Sequence, residues 1–112
     1  MAARDLSTLY LEPRHLHTVR QLLQHYVPWS EAWIYGSRVT GTGHETSDLD
    51  LEVRNPVDPD LEQPGIGAVR TAFMLSDLPI RVEVEDWARI PDSFRQEIVC
   101  NYIVAQMASQ PL

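Results

Sequence analysis

The sequence predicts a small α/β (α+β) domain in which helices pack on a mixed β-sheet. Segments whose apolar residues recur every three or four positions are followed by short segments in which apolar and polar residues strictly alternate. Proline or glycine separates most of these segments. With 112 residues, the chain is long enough for one modest hydrophobic core. We therefore expect residues 1–112 to form a single domain.

The spacing of apolar residues predicts three helices. The first begins at Pro13, which suits a first helical turn, and ends before Pro28. The second starts near Ile66, and the third opens at Pro91. Their apolar faces are Leu16, Val19, Leu23 and Tyr26, then Ile66, Val69, Ala72 and Phe73, then Phe94 and Ile98. The first ten residues are expected to form an arm with little structure of its own.

Short apolar or alternating segments predict the strands. They are residues 32–35, 48–54, 80–86 and 102–105. In the second of these, the apolar and acidic side chains point to opposite faces, with Leu49, Leu51 and Val53 against Asp48, Asp50 and Glu52. Residues 36–46 are predicted as a loop, which therefore lies at one end of the sheet, where binding sites are commonly built.

The charge composition excludes several functions. The chain has sixteen acidic and nine basic residues, which gives a net charge of −7. All nine basic residues are arginine. This balance argues against nonspecific binding to nucleic acid or to an anionic membrane, but it does not exclude a nucleotide that arrives with a divalent metal. The absence of lysine excludes a P-loop or Schiff-base lysine. No signal-peptide core or membrane-spanning apolar run is present, and Cys100 is the single cysteine, so we expect a cytoplasmic protein.

Asp48 and Asp50 are the first candidate site residues. They share one face of a strand, where two ionised carboxylates repel each other unless a cation or solvent compensates them. Oxygen ligands of this kind suit Mg²⁺ or Mn²⁺. Glu83 and Glu85 on the third strand can supply a further acid if that strand lies beside the Asp strand. The alternative is a solvated outer strand face with no ligand.

The loop before the Asp pair has the composition of a phosphate-binding loop. Gly36 allows the backbone to approach a ligand closely, and Ser37 offers both an N–H and a hydroxyl to a phosphate oxygen. Arg38 adds a positive charge where the negative charge is densest. Gly-Ser, a gap of ten residues and Asp-x-Asp on a strand together form a moderately specific pattern.

These motifs resemble the minimal nucleotidyltransferases (MNT) of the DNA polymerase β superfamily. The resemblance rests on Gly-Ser-Arg at residues 36–38, Ser-Asp-Leu-Asp-Leu at residues 47–51 and Val-Glu-Val at residues 82–84, and it covers most of the chain. It implies a polymerase-β-like nucleotidyltransferase fold. It also implies transfer of a nucleoside monophosphate from a nucleoside triphosphate, by default ATP, to an acceptor hydroxyl, with release of pyrophosphate.

The resemblance also implies roles for individual residues. Asp48 and Asp50 are expected to hold two Mg²⁺ ions, with Mn²⁺ as a possible substitute, and Glu83 to complete one metal site and help deprotonate the attacking hydroxyl. The residues expected to bind the nucleotide are Gly36 and Ser37, which grip the phosphates, with Arg38 and Ser47 in support. Many family members have Asp where this chain has Glu83, and Glu85 is a weaker candidate for the same role.

Free-standing proteins of this type resemble one half of a two-gene pair whose other half is a small helical HEPN or substrate-binding protein. The resemblance therefore implies a protein partner, and a partner subunit or a second copy of the chain is expected to complete the acceptor pocket. Two alternatives stay open. One is an antitoxin-like binding module with little or no catalysis, and the other is a structural α/β domain.

Overall fold

The computed structural model describes residues 3–109, which contain four helices and four strands. Two short 3₁₀ turns, Leu6–Thr8 and Trp87–Arg89, complete the regular structure of these residues. In chain order the elements are α1 (Pro13–Tyr26), β1 (Glu31–Tyr35), α2 (Ser37–Thr40), β2 (Leu49–Arg54), α3 (Ile66–Leu75), β3 (Val82–Asp86), α4 (Asp92–Cys100) and β4 (Ile103–Gln106). The predicted strands and longer helices are therefore present, while the extent of the single domain over residues 1–112 stays a prediction.

The strands form one mixed sheet in the order β3-β2-β1-β4. β1 is antiparallel to both β2 and β4, whereas β2 and β3 are parallel. A parallel neighbour requires a crossover, and α3 provides it between β2 and β3. This arrangement confirms the predicted mixed sheet.

The two faces of the sheet differ in chemistry. One face is apolar and packs against α1 and α3, with Leu49, Leu51 and Val53 fully buried. The other face packs in part against α4 through a smaller aromatic cluster around Trp33 and Trp87. The alternation in β2 places the acidic side chains on this second face, as the sequence predicts.

Two parts of the chain are more ordered than the sequence suggests. Residues 3–10 are not a loose arm, because Leu9 is buried and Ala3 forms a β-bridge with Tyr102; residues 1 and 2 lie outside the described range. The loop at residues 36–46 contains the short helix α2. Both features depend on distant partners, which local patterns do not reveal.

None of the helices within residues 3–109 combines the length and the apolar run needed to cross a membrane.

Candidate active site

The parallel pairing of β2 with β3 brings acidic residues side by side. Asp50 lies opposite Glu83, and Glu52 lies opposite Glu85 on the next pair of the same face. Asp48 immediately precedes β2, one alternation before Asp50. β3 thus lies beside β2, which is the arrangement that a residue of β3 needs in order to supply a third acid.

The carboxyl group of Asp50 lies in an environment that disfavours its charged form. Its carboxyl is half-buried, and burial together with the neighbouring charges of Asp48 and Glu83 raises its pKa to about 6. The group therefore retains its full negative charge at neutral pH only at a cost in free energy. A bound cation would remove that cost.

Gly36 holds the start of the loop against this carboxylate. Pairing of β1 with β2 places Tyr35 opposite Asp50, so the next residue, Gly36, meets the Asp50 side chain. A Cβ atom at position 36 would lie 2.5 Å from Oδ2 of Asp50, and the φ angle of Gly36 is +87°. Both the space and the backbone angle require glycine. The Gly-Ser turn and the Asp pair therefore form one continuous site.

The remainder of the loop folds back on itself. The carbonyl of Ser37 accepts hydrogen bonds from the N–H groups of Gly41 and Gly43, at 3.2 and 3.0 Å. The Ser47 hydroxyl accepts a hydrogen bond of 3.0 Å from the N–H of His44, so Ser47 closes the last turn before Asp48. Ser37 lies next to the Gly36–Asp50 contact. The hydroxyl of Ser47, in contrast, is engaged in a hydrogen bond within the loop.

Arg38 differs from its expected role. Its side chain is only 3% exposed, and its guanidinium donates to three backbone carbonyls. The acceptors are Ser47 at 2.9 Å, Tyr10 at 2.6 Å and Glu45 at 2.9 Å. The N–H of Tyr10 in turn donates to the Arg38 carbonyl. The side chain thus ties the N-terminal segment to the loop instead of being aimed at a phosphate.

Glu52 is a buried acid that the sequence analysis did not place in the site. Its side chain is fully buried, and neither carboxyl oxygen has a hydrogen-bond partner among the described residues. Burial raises its pKa to about 8 and outweighs the nearby Tyr35 hydroxyl, which acts to lower it, while the charges of Glu85, Asp86 and Asp50 add to the rise. The pKa of the Tyr35 hydroxyl is raised above its usual value by burial and by Glu52 and Asp50. The sequence signal was available, since Glu52 continues the alternation of Asp48 and Asp50.

The donor set fits a hard divalent cation, although the side chains do not yet converge. Asp48, Asp50 and Glu83 offer only carboxylate oxygens, and Gly36 leaves room beside Asp50 that a Cβ would fill. Within residues 3–109, no three His, Cys, Asp or Glu side chains are already arranged around a metal position. Oε1 of Glu83 instead lies 2.8 Å from Nη2 of Arg81.

Comparisons with known proteins agree with this geometry. The sequence profile of the nucleotidyltransferase domain family matches residues 16–106. A probable protein adenylyltransferase MntA of Haemophilus influenzae is 37% identical over 102 residues, which cover 91% of this chain and 88% of that protein. A similar fold occurs in a crystal structure described as a toxin-antitoxin with AMP-PNP, at a TM-score of 0.64 and 22% identity. That alignment covers 85% of this chain and 74% of the other.

The predicted polymerase-β-like nucleotidyltransferase fold and the predicted transferase class are thereby confirmed. The family match covers most of α1 and all of the loop, the acidic strands and β4, so it includes every element that builds the site. The chain belongs to the nucleotidyltransferase domain family.

Proposed function

We propose that this protein transfers AMP from ATP to a hydroxyl group on a partner protein, with two Mg²⁺ ions held by its acidic strands. The observation that carries the proposal is the Asp50–Glu83 pair on neighbouring parallel strands, with the Gly36 backbone against Asp50. The name of the Haemophilus relative, a probable protein adenylyltransferase, supports ATP as donor and a protein as acceptor.

Each acid has a distinct role in the proposed reaction. Asp48 and Asp50 hold the metal ions, and Glu83 completes one site and accepts the proton of the attacking hydroxyl. Bound Mg²⁺, or Mn²⁺ in its place, would polarise the phosphoryl oxygens and stabilise the charge that develops on the leaving group. The acceptor oxygen forms a bond to the α-phosphorus, the bond from that phosphorus to the bridging oxygen of the β-phosphate breaks, and pyrophosphate leaves.

The loop positions the nucleotide for this displacement. Gly36 and Ser37 bind the β- and γ-phosphates through backbone N–H groups and the serine hydroxyl. Arg38 and Ser47 act indirectly, because their side chains fix the loop that carries Ser37 and leads into Asp48. They are therefore positioning residues in this proposal.

The acceptor is proposed to come from outside the chain. A HEPN or substrate-binding helical protein is the partner that the family resemblance favours, and a second copy of the chain is the alternative that would also complete the pocket. The net charge of −7 makes nucleic acid an unfavourable acceptor. Because ATP is the proposed donor, we place the reaction in the cytoplasm.

Label transfer tests the proposal. The protein is incubated with its partner, Mg²⁺ and ATP labelled at either the α- or the γ-phosphate. We expect the α-label to appear on the partner and the γ-label to leave in pyrophosphate. Asp50→Asn should abolish the transfer, and Asp77→Asn, at an exposed acid outside the site, should retain it. Transfer of the γ-label instead would refute nucleotidyl transfer.

An antitoxin-like binding module with little catalysis is the second candidate function. The contact between Arg81 and Glu83 favours it, because a third acid that stays paired with arginine leaves the metal site incomplete. Nucleotide and partner binding without any label transfer would support this reading over the first.

A further inference from the structure

Arg81 occupies an unusual place in the acidic face. The carbonyl of Arg81 accepts a hydrogen bond of 2.9 Å from the N–H of Leu49, just before the pairing of Leu49 with Val82 begins. This register sets Arg81 beside Asp48, one alternation before Glu83 on the same face. A positively charged residue is therefore the sheet neighbour of two of the proposed metal ligands.

The other arginines around the site are committed elsewhere. Arg38 serves three backbone carbonyls, and Arg54 is paired with Glu31 at 2.8 Å and packs on Trp33. Arg70 donates its Nε–H to the carbonyl of Val84 at 2.8 Å. In the part of the chain that the structure describes, the Arg81 side chain has Glu83 as its single ion-pair partner and is 73% exposed.

This ion pair is poorly explained as a contribution to stability. Exposed pairs contribute little to the free energy of folding, because solvent screens them and both side chains lose freedom. The pair does, however, engage Oε1 of Glu83 at 2.8 Å. A cation that needs this oxygen must compete with the guanidinium.

We propose that Arg81 couples metal binding to nucleotide binding, a proposal that rests on the proposed function. Without nucleotide, Arg81 holds Glu83 and weakens the binding of a divalent cation at the Asp pair. When the triphosphate arrives with its metal, Glu83 turns to the metal and the released guanidinium pairs with phosphate oxygens. Arginine suits this exchange because its fork of N–H groups binds carboxylate and phosphate in the same geometry.

Two affinities measured on Arg81→Gln test the coupling. Binding of Mn²⁺ alone is followed by the electron paramagnetic resonance of the free ion, and binding of a non-hydrolysable ATP analogue at saturating Mg²⁺ is followed by calorimetry. We expect Mn²⁺ to bind about threefold to tenfold more tightly to Arg81→Gln than to the original protein, and the analogue about threefold to tenfold more weakly. Arg81→Lys, which keeps the charge, should restore most of the original Mn²⁺ affinity.

Arg70→Gln is the matched control, since it removes the same charge from α3 at a position 3.9 Å from Glu85, the next acid along β3 on the same face. It should leave both affinities within about twofold.

An unchanged or weaker Mn²⁺ affinity in Arg81→Gln, or an unchanged affinity for the analogue, overturns the coupling. The negative result for Arg81→Gln refutes only the role of Arg81 when the original protein binds Mn²⁺ and Asp48→Asn removes that binding. If the original protein binds neither Mn²⁺ nor the analogue, the proposed function fails together with the coupling.

Discussion

Glu52 makes the stability of this protein depend on pH, and Glu52→Gln isolates that dependence. The side chain is fully buried opposite Trp33 and Glu85, without a hydrogen-bond partner for either oxygen among the described residues. Glutamine has nearly the same shape but carries no charge. The substitution therefore removes the cost of ionisation while leaving the packing of the side chain almost unchanged.

The sign and size follow from the two pKa values. Burial raises the pKa of Glu52 from 4.5 to about 8, so between these values the folded state holds the proton more tightly than the unfolded chain. Stability from this group is complete below pH 4.5, falls as pH rises and reaches its minimum above pH 8. The difference corresponds to a ceiling of about 5 kcal/mol, of which we expect about 2–4 kcal/mol between pH 5 and pH 9 because the surrounding structure relaxes around the ionised group.

Urea unfolding followed by tryptophan fluorescence at pH 5, 7 and 9 measures the effect. Glu52→Gln should match the original protein within about 1 kcal/mol at pH 5 and exceed it by about 2–4 kcal/mol at pH 9. Glu97→Gln, at an exposed position on α4, should follow the original protein at every pH. The reasoning is refuted if the curves of Glu52→Gln and the original protein stay parallel across this range.

Three further substitutions test the site. Gly36→Ala should lower the melting temperature and abolish AMP transfer, because the added Cβ would meet Asp50 Oδ2 and the φ angle at position 36 is +87°. Gly67→Ala, whose added Cβ enters open space, should have neither effect. Equal effects of the two substitutions would contradict the close contact at Gly36. Asp50→Asn should abolish AMP transfer but raise the free energy of unfolding at pH 8 by about 1 kcal/mol. The reason is that the pKa of Asp50 is raised to about 6, so its charged form costs free energy above that pH. A lower melting temperature of the variant at pH 8 would contradict this reasoning. Arg38→Gln should destabilise the fold by about 2–4 kcal/mol, because three backbone carbonyls lose their hydrogen-bond donor. It should also speed amide hydrogen exchange at residues 44–47. Unchanged exchange at these residues would show that Arg38 does not position the loop.

Much of the site follows from local patterns. The alternation in residues 48–54 predicts which side chains of β2 enter the apolar core, and the structure buries Leu49, Leu51 and Val53 completely, although Glu52 on the opposite face is buried as well. The pairing of Asp50 with Glu83 needs one assumption beyond the pattern, namely that β3 lies beside β2.

The features that local sequence patterns do not reveal depend on distant neighbours. Arg38 finds its acceptors at residues 10, 45 and 47, and nothing in the local sequence distinguishes such an arginine from one that binds phosphate. Glu52 has the same place in the alternation as Asp50, and only its position beside Trp33 in the middle of the sheet makes it fully buried. The order in residues 3–10 likewise arises from contacts with Arg38 and Tyr102.

Calorimetric titration with a non-hydrolysable ATP analogue, in Mg²⁺ and in EDTA, tests most directly whether the acidic face is a metal-dependent nucleotide site. We expect binding in Mg²⁺, no binding in EDTA, and loss of binding in the double variant Asp48→Asn/Asp50→Asn. Asp77→Asn should bind like the original protein. Binding that persists in EDTA, or that survives the double substitution, would contradict the assignment of Asp48 and Asp50 as the residues that hold the metal and its nucleotide.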